Sequence, residues 1–215
     1  MNLPPLVKKA LAEFLGVLIF LTAIVGSVLN QSSQLAAPAL ATALGLAILV
    51  TGPISGGHLN PAVSIYFLSR REISVVEFLT YIVAQLAGAV AGVYIATQIW
   101  AVSFGPTSST EMATPAMLIA ELFATGGLVW LVGRLASTGK GNLIPAAVGL
   151  WVFAAATFTP TGAQANPAVS IGLLFIGQPI STQAGIILAQ LVGMLIAAVF
   201  VVIFADKAKK AAVEK

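Results

Sequence analysis

The chain has 215 residues, of which 59% are hydrophobic and only 8% are charged, with a net charge of +3. A soluble domain carries about a quarter charged residues, so this composition excludes a water-soluble globule and predicts that lipid surrounds most of the chain. The absence of cysteine excludes disulfides, thiolate metal sites and cysteine nucleophiles, and we predict no cofactor and no metal site.

Six stretches of the chain are long and apolar enough to approach a bilayer-crossing helix, which needs roughly 20 residues. In chain order they are Leu11–Leu29, Leu35–Ile54, Val75–Val102, Ala113–Leu135, Leu143–Phe158 and Ile180–Ala205. The first stretch is too long for a cleaved signal peptide and lacks a convincing small-residue cleavage site, so we interpret it as a permanent span. The chain is therefore predicted to be an all-α membrane protein.

The basic residues indicate which way the predicted bundle faces. The connections 30–34, 103–112 and 159–180 carry no Lys or Arg. A six-span topology with both termini on one side places every basic residue on that side: Lys8, Lys9, Arg70, Arg71, Arg134, Lys140, Lys207, Lys209, Lys210 and Lys215. By the positive-inside rule that side is the cytoplasm. We therefore predict an inner (plasma) membrane protein with both termini cytoplasmic, and no nucleic-acid partner.

One pentapeptide, Asn-Pro-Ala-Val-Ser, occurs twice, at Asn60–Ser64 and at Asn166–Ser170. Each copy predicts a helix start, because Asn is a favoured N-cap and Pro is favoured at the first helical position. The Asn side-chain oxygen is expected to accept a first-turn backbone N–H. Its NH2 group is then expected to stay free and to point past the helix end.

The two pentapeptides belong to a wider repeat. Glu13 and Glu121 precede the motif Asn by 47 and 45 residues, and Gln85 and Gln190 follow it by 25 and 24. A single channel domain, 1–215, is therefore predicted to consist of halves at approximately 1–105 and 106–205, followed by a cytoplasmic tail, 206–215. Because each half has three spans, the second half must enter the membrane from the opposite side, which predicts an inverted repeat.

Two short apolar segments, Pro61–Ser69 and Pro167–Gly177, are each only about ten residues long, which is about 15 Å of helix and half a bilayer core. Such a segment is tolerated at membrane depth only inside protein or beside a wet cavity. Two of them entering from opposite faces would meet at the midplane and direct two positive helix ends at one spot. That arrangement repels cations and offers NH2 donors to a neutral oxygen, so it predicts a pore.

The segment Ser55–Ser64, which reads Ser-Gly-Gly-His-Leu-Asn-Pro-Ala-Val-Ser, resembles the first pore-loop motif of the aquaporin and aquaglyceroporin (major intrinsic protein) family. The second Asn-Pro-Ala and the two repeat Glu residues agree with that resemblance. It implies six tilted helices, two re-entrant half-helices and a homotetramer with one pore per subunit. It also implies that Glu13 and Glu121 support the pore loops and that six residues form the pore motifs: Asn60, Pro61, Ala62, Asn166, Pro167 and Ala168.

The chain departs from the family at the narrowest point of the channel. Most relatives have Arg where this chain has Val169, and glycerol facilitators have Asp where it has Ser170. The family's other constriction positions, carried over by their offset from the motif, fall on Leu40, Ala154 and Ala163. A constriction without Arg, His or an aromatic ring is expected to be a wider, apolar selectivity filter.

These features favour a passive channel for small neutral solutes larger than water. Glycerol-like polyols, methylated neutral acids and undissociated metalloid hydroxides such as arsenite fit this description. In having Val169 at the Arg position, the chain resembles a bacterial branch of the family that is linked to arsenic resistance. A water-conducting aquaporin is one alternative. A secondary transporter is another, with Glu13 and Glu121 as its intramembrane charges. An enzyme is not predicted, because the chain offers no nucleophile–base arrangement.

His58, the only histidine, is expected at the cytoplasmic mouth of the pore, where it bonds backbone groups. A single His without Cys or a nearby carboxylate is a poor metal site. A less favoured hypothesis is that its titration modulates flow.

Overall fold

The computed structural model describes residues 3–30 and 33–205, and all regular elements of this part of the chain are helices. The helices are α1 (Pro5–Leu29), α2 (Ser33–Ser55), α3 (Pro61–Ser69), α4 (Val75–Ile99), α5 (Pro115–Ser137), α6 (Ile144–Phe158), α7 (Pro167–Leu173) and α8 (Ile180–Ile203), with a 3₁₀ turn at Gly141–Leu143 before α6. The predicted tail, 206–215, and its four lysines lie outside the described residues.

Six of these helices are long and apolar enough to cross a membrane, and they coincide with the six predicted stretches. The largest difference is at the first, where α1 begins at Pro5 rather than Leu11, because Pro is readily accepted at a helix start. The fifth predicted stretch, Leu143–Phe158, gains the 3₁₀ turn and becomes an 18-residue span, Gly141–Phe158. Large apolar side chains are exposed on the outer faces of the helices, as lipid contact requires: Leu15, Val83, Leu150, Leu188 and Val199 among others.

The two half-length helices are α3 and α7. α3 has the predicted bounds, whereas α7 ends at Leu173, four residues before the predicted end at Gly177. The chain turns there because Gln178 N–H donates to the Leu173 carbonyl (3.2 Å) and Gly177 takes a left-handed conformation (φ 85°). The carbonyl of Phe175 then accepts the N–H of Gly105 (2.7 Å) from the segment between α4 and α5.

The helix packing repeats between the two halves. In the first half α1 packs against both α2 and α4, and in the second half α5 packs against both α6 and α8. The halves meet through α2 and α6, while α3 and α7 each contact α4, α8 and one another. The half-helices are therefore enclosed by the spanning helices, as the exclusion of unpaired backbone groups from lipid requires.

The described Lys and Arg residues all lie at one end of the bundle, which we call the basic end; the opposite end is the neutral end. At the basic end Lys9 of α1 pairs with Glu77 of α4 (2.6 Å), and Arg134 of α5 donates to the carbonyl of Phe204 after α8 (2.6 Å). α3 runs from the middle of the bundle to the basic end, and α7 runs from the middle to the neutral end.

Glycines allow the closest helix contacts in each half. A Cβ added at Gly193 of α8 would lie 2.2 Å from the carbonyl oxygen of Leu122 in α5, and one added at Gly88 of α4 would lie 2.4 Å from the carbonyl oxygen of Phe14 in α1. Both obstructing atoms belong to backbone, which cannot move aside as a flexible side chain can. The α5–α8 and α1–α4 pairs therefore depend on these glycines for their close approach.

We expect Gly193→Ala to lower the melting temperature of the detergent-solubilised protein by about 5 °C, because overpacking costs about 1–3 kcal/mol. The matched control is Gly52→Ala in α2, where an added Cβ meets no atom within 4 Å. The control should melt at the wild-type temperature or slightly above it, since Ala favours helix over Gly. Equal melting of Gly193→Ala and wild type would contradict the tight α5–α8 contact.

Candidate functional site

The half-helices begin as their sequence predicts. Asn60 caps α3 by accepting the N–H of Ala62 on its side-chain oxygen (2.9 Å), and Asn166 caps α7 by accepting the N–H of Ala168 (2.9 Å). The following prolines occupy the first helical position, where no N–H is needed. Both helices therefore direct their positive ends at the centre of the bundle.

The two tips are joined to one another by hydrogen bonds. Asn60 Nδ2 donates to the carbonyl of Ala165 (2.8 Å), and Asn166 Nδ2 donates to the carbonyl of Leu59 (2.9 Å). The prediction that the NH2 groups stay free is thus wrong for one hydrogen of each, because each NH2 reaches the carbonyl just before the other Asn. Since an amide NH2 has two hydrogens, each Asn keeps one for a solute.

The loop before each tip has the same unusual backbone in both halves. Leu59 and Ala165, each directly before the motif Asn, have positive φ angles of 48° and 47°. Ala163 also has a positive φ of 53°, and its counterpart Gly57 has 60°. Left-handed backbone costs a residue with a Cβ about 1–2 kcal/mol. The hydrogen bonds around these loops must therefore stabilise the left-handed conformation. That conformation turns the carbonyls of Leu59 and Ala165 toward the opposite tip.

Each loop wraps around one buried glutamate. Glu13 accepts the backbone N–H groups of His58 (3.0 Å) and Leu59 (2.7 Å), and it also accepts the Ser55 hydroxyl (2.6 Å) and Gln85 Nε2 (2.7 Å). All four donors compensate a carboxylate that is completely inaccessible to solvent.

Glu121 repeats that arrangement in the second half. It accepts the backbone N–H groups of Gln164 (2.9 Å) and Ala165 (2.8 Å), together with the Thr161 hydroxyl and Gln190 Nε2 (2.8 Å). Both carboxylates thus have their lone pairs occupied by donors of their own half.

A serine extends each glutamate network to the loop side chain two residues before the motif Asn. Gln85 Nε2 donates to the Ser64 hydroxyl oxygen (3.0 Å), which lies 3.2 Å from His58 Nδ1. In the second half Gln190 Nε2 donates to Ser170 Oγ (3.1 Å), and the Ser170 hydroxyl donates to Gln164 Oε1 (2.7 Å). His58 and Gln164 therefore occupy equivalent positions.

One cavity of about 400 Å³ runs through the bundle past both tips. Its walls are mostly aliphatic, and no Asp, Glu, Lys or Arg of the described part of the chain lines it. The polar side chains along it belong to His58, Asn60, Thr161, Gln164, Asn166 and Gln178. The cavity therefore offers hydrogen bonds but no fixed side-chain charge.

Three of the four expected filter residues line this cavity: Leu40, Ala163 and Val169. His58 lines it as well. Ala154 does not line it, because its side chain is on the exposed outer face of α6. The cavity-facing residues of α6 recur every four residues along one helix face: Ile144, Val148, Val152 and Ala156. The offset carried over for α6 was therefore wrong, since two residues along a helix turn a side chain to nearly the opposite face.

The remaining motif residues lie behind the cavity wall. Pro61, Ala62, Pro167 and Ala168 are buried and do not line the cavity. They begin the half-helices and pack them, and they leave the two Asn side chains as the polar groups at the tips.

His58 is held in one orientation at the basic end. Its ring stacks on Phe67 (centroids 4.6 Å apart) and meets the edge of Tyr81 (5.2 Å). The loop that carries it lies outside the six spans, and burial lowers the pKa of His58 to about 4, an effect that nearby Glu77 opposes. The imidazole is therefore neutral at physiological pH, which argues against titration of His58 as a control of flow.

Sequence reasoning did not single out Gln164, which lines the cavity, or the two motif serines, which are buried behind its wall. A signal for them was present, because His58 and Gln164 stand at the same offset from their motif Asn, and Ser64 and Ser170 both stand four residues after it. The offset alone does not tell which way these side chains point.

The comparisons with known proteins agree with this geometry. The family model described as "Major intrinsic protein" matches residues 1–201. The chain is 34% identical over 202 residues to "Aquaglyceroporin AqpS" of Rhizobium meliloti (strain 1021), covering 89% of this chain and 84% of the relative. It is 32% identical over 195 residues to "Probable aquaporin PIP2-7" of Oryza sativa subsp. japonica, covering 78% and 67%.

Among solved structures the fold is similar to the X-ray structure of the aquaglyceroporin from Plasmodium falciparum. The TM-score is 0.75 at 21% identity, and the match covers 91% of this chain and 95% of that chain. The architecture of six spans and two re-entrant half-helices is thus that of an aquaglyceroporin. The chain belongs to the major intrinsic protein family, whose members are membrane channels and not enzymes.

Proposed function

We propose that this channel passes neutral solutes larger than water, with glycerol-like polyols and undissociated arsenite as its cargo. The observation that carries the proposal is the cavity past the two Asn tips, whose lining in the described part of the chain has no charged side chain. A neutral wall gives no counter-charge to an ion, and the two helix N-termini oppose cations at the midplane. A hydroxylated neutral solute can exchange its hydration for the Asn NH2 groups.

We propose that Leu40, Ala163 and Val169 form the selectivity filter, with Val152 of α6 in place of Ala154. All four side chains are aliphatic and line the cavity. An Arg at position 169 would narrow the passage and add charge, whereas Val does neither. The similarity to a relative named an aquaglyceroporin supports a passage that admits more than water.

A water-conducting aquaporin is the second candidate, and the similarity to a relative named a probable aquaporin favours it. Water is small enough to pass the same cavity, so the two proposals differ in whether larger solutes also pass. The secondary transporter is disfavoured because Glu13 and Glu121 do not line the cavity and each accepts four hydrogen bonds from its own half. We propose that both glutamates support the pore loops.

We also propose that the basic end faces the cytoplasm of a cell whose inner (plasma) membrane holds the protein, with both termini inside. The support is the position of all described Lys and Arg residues at that end, together with the positive-inside rule. A homotetramer with one pore per subunit is the assembly we propose, on the resemblance to the family.

The proposal is tested by stopped-flow light scattering and solute uptake in proteoliposomes. We expect glycerol and arsenite at neutral pH to enter faster than into protein-free liposomes, and an uncoupler to leave the rates unchanged. Arsenate, which is charged at that pH, serves as the control solute and should stay excluded. Permeation of water without glycerol or arsenite would refute the proposal and leave the water channel, and uncoupler-sensitive accumulation would indicate a transporter.

A further inference from the structure

We propose that Gln164 is a specificity-determining residue of this channel, supplying a fixed neutral hydrogen-bond donor to solute hydroxyl oxygens on the neutral-end side of the Asn pair. This inference rests on the proposed function. On that side of the Asn pair the aliphatic side chain of Val169 offers no hydrogen-bond donor.

The backbone and the carbonyl end of Gln164 are already occupied. Its N–H donates to Glu121 Oε1 (2.9 Å), and its Oε1 accepts the Ser170 hydroxyl (2.7 Å). The Ser170 hydroxyl hydrogen is directed there because Gln190 Nε2 occupies the Ser170 oxygen as a donor (3.1 Å). The hydrogen bonds that run from Glu121 through Gln190 to Ser170 therefore fix the position and the orientation of the Gln164 carboxamide, with its oxygen toward Ser170.

The NH2 of Gln164 is the side-chain group that remains. No residue described in the structure accepts a hydrogen bond from Gln164 Nε2, yet this atom is not among the buried polar atoms that lack a partner. It is thus accessible, and Gln164 lines the cavity. With its oxygen turned toward Ser170, the carboxamide presents its NH2 group, and therefore N–H donors, to a solute.

Other polar side chains on that side do not duplicate this donor. The Thr161 hydroxyl donates its hydrogen to Glu121. Gln178 lies at the mouth, where it is exposed. Gln164 alone among these three combines a fixed orientation with an available N–H, and it carries no charge.

The ligand chemistry follows from the donor. Two N–H hydrogens on a neutral group suit the lone pairs of a hydroxyl oxygen in a polyol and give no advantage to a cation. A polyol fills more of the passage than water and contacts the wall directly, whereas water can pass bonded to other waters. Loss of the donor should therefore slow polyols more than water.

The first half of the chain suggests the conservative replacement. At the equivalent position His58 presents Nδ1 to Ser64 at 3.2 Å, and a neutral imidazole that accepts on one nitrogen donates from the other. Gln164→His should therefore keep both the acceptor for Ser170 and an N–H for the solute. Gln164→Met removes both while keeping the length of the side chain.

The experiment compares glycerol and water permeabilities of proteoliposomes containing wild type, Gln164→Met, Gln164→His and the matched control Gln98→Met, an exposed glutamine of α4 that does not line the cavity. We expect Gln164→Met to lower the ratio of glycerol to water permeability about fivefold, the size of one neutral hydrogen bond. Gln164→His and Gln98→Met should stay within about twofold of wild type. Melting temperatures separate a selectivity effect from misfolding. That of Gln164→Met should fall by a few degrees at most, because the Ser170 hydroxyl can donate to the carbonyl of Asn166 (3.4 Å) instead.

The inference is overturned if Gln164→Met keeps the wild-type ratio, if Gln98→Met lowers it as much, or if Gln164→His behaves like Gln164→Met. A wild type that excludes glycerol overturns the proposed function instead. In that case the passage is too narrow for glycerol, and water must contact the wall directly, so Gln164→Met should lower water permeability about fivefold while Gln98→Met does not. Unchanged water permeability in that setting overturns the role of Gln164 as well.

Discussion

Val169→Arg is expected to lower glycerol permeability at least about tenfold, which corresponds to ~1.4 kcal/mol of added barrier. Val169 lies on the cavity wall with Leu40 and Ala163, so a long guanidinium side chain there would occupy the passage that a polyol uses. Water, which is smaller, should lose less. Stopped-flow light scattering with both solutes measures the two permeabilities on the same vesicles.

Val169→Leu separates size from charge in this experiment. Leu adds one methylene to a buried aliphatic side chain that is only 2% exposed, and it adds no hydrogen-bonding group. We expect a reduction of glycerol flux by about twofold, far smaller than that of Val169→Arg. If Val169→Arg changes glycerol and water permeability equally, or not at all, the assignment of position 169 to the filter fails.

Glu121→Ala is expected to destabilise the protein by about 3 kcal/mol or more, because several buried donors lose their acceptor together. Those donors are the N–H groups of Gln164 and Ala165 and the side chain of Gln190. For a chain of this length the loss corresponds to a melting temperature lower by roughly 6–12 °C in detergent. Solute flux should fall as well, because the loop that Glu121 holds carries Ala163 and Gln164.

The control is Glu72→Ala, which removes an exposed carboxylate 3.8 Å from Arg70 and should leave the melting temperature within a degree or two of wild type. Glu121→Gln should fall between wild type and Glu121→Ala, since it keeps one acceptor oxygen but brings an NH2 toward other donors. A Glu121→Ala protein that melts like wild type would show that the loop does not need the carboxylate.

The parts of the fold that the sequence predicts are those with local signals. The apolar stretches locate the six spans, and Asn followed by Pro locates the start of both half-helices. The doubled motif brings the tips together because an odd number of spans per half inverts the second half. Glu13 and Glu121 stand out because a carboxylate inside an apolar span demands donors.

The remaining features depend on contacts that no local pattern encodes. The assignment of Ala154 rests on an ungapped count from the motif, and the helical register of α6 turns that residue outward. The carbonyl of Phe175, two residues beyond the end of α7, accepts the N–H of Gly105 from a segment that is distant in sequence. Left-handed backbone at Leu59 and Ala165 has no signature in residues that carry a Cβ.

The reciprocal bonds between Asn60 and Ala165 and between Asn166 and Leu59 have a consequence for folding during translation. Translation delivers α3 long before residues 165 and 166 leave the ribosome. During that interval the amide of Asn60 and the carbonyl of Leu59 have no native partner. The tip of α3 consequently cannot complete its native hydrogen bonds until the last third of the chain has been synthesised.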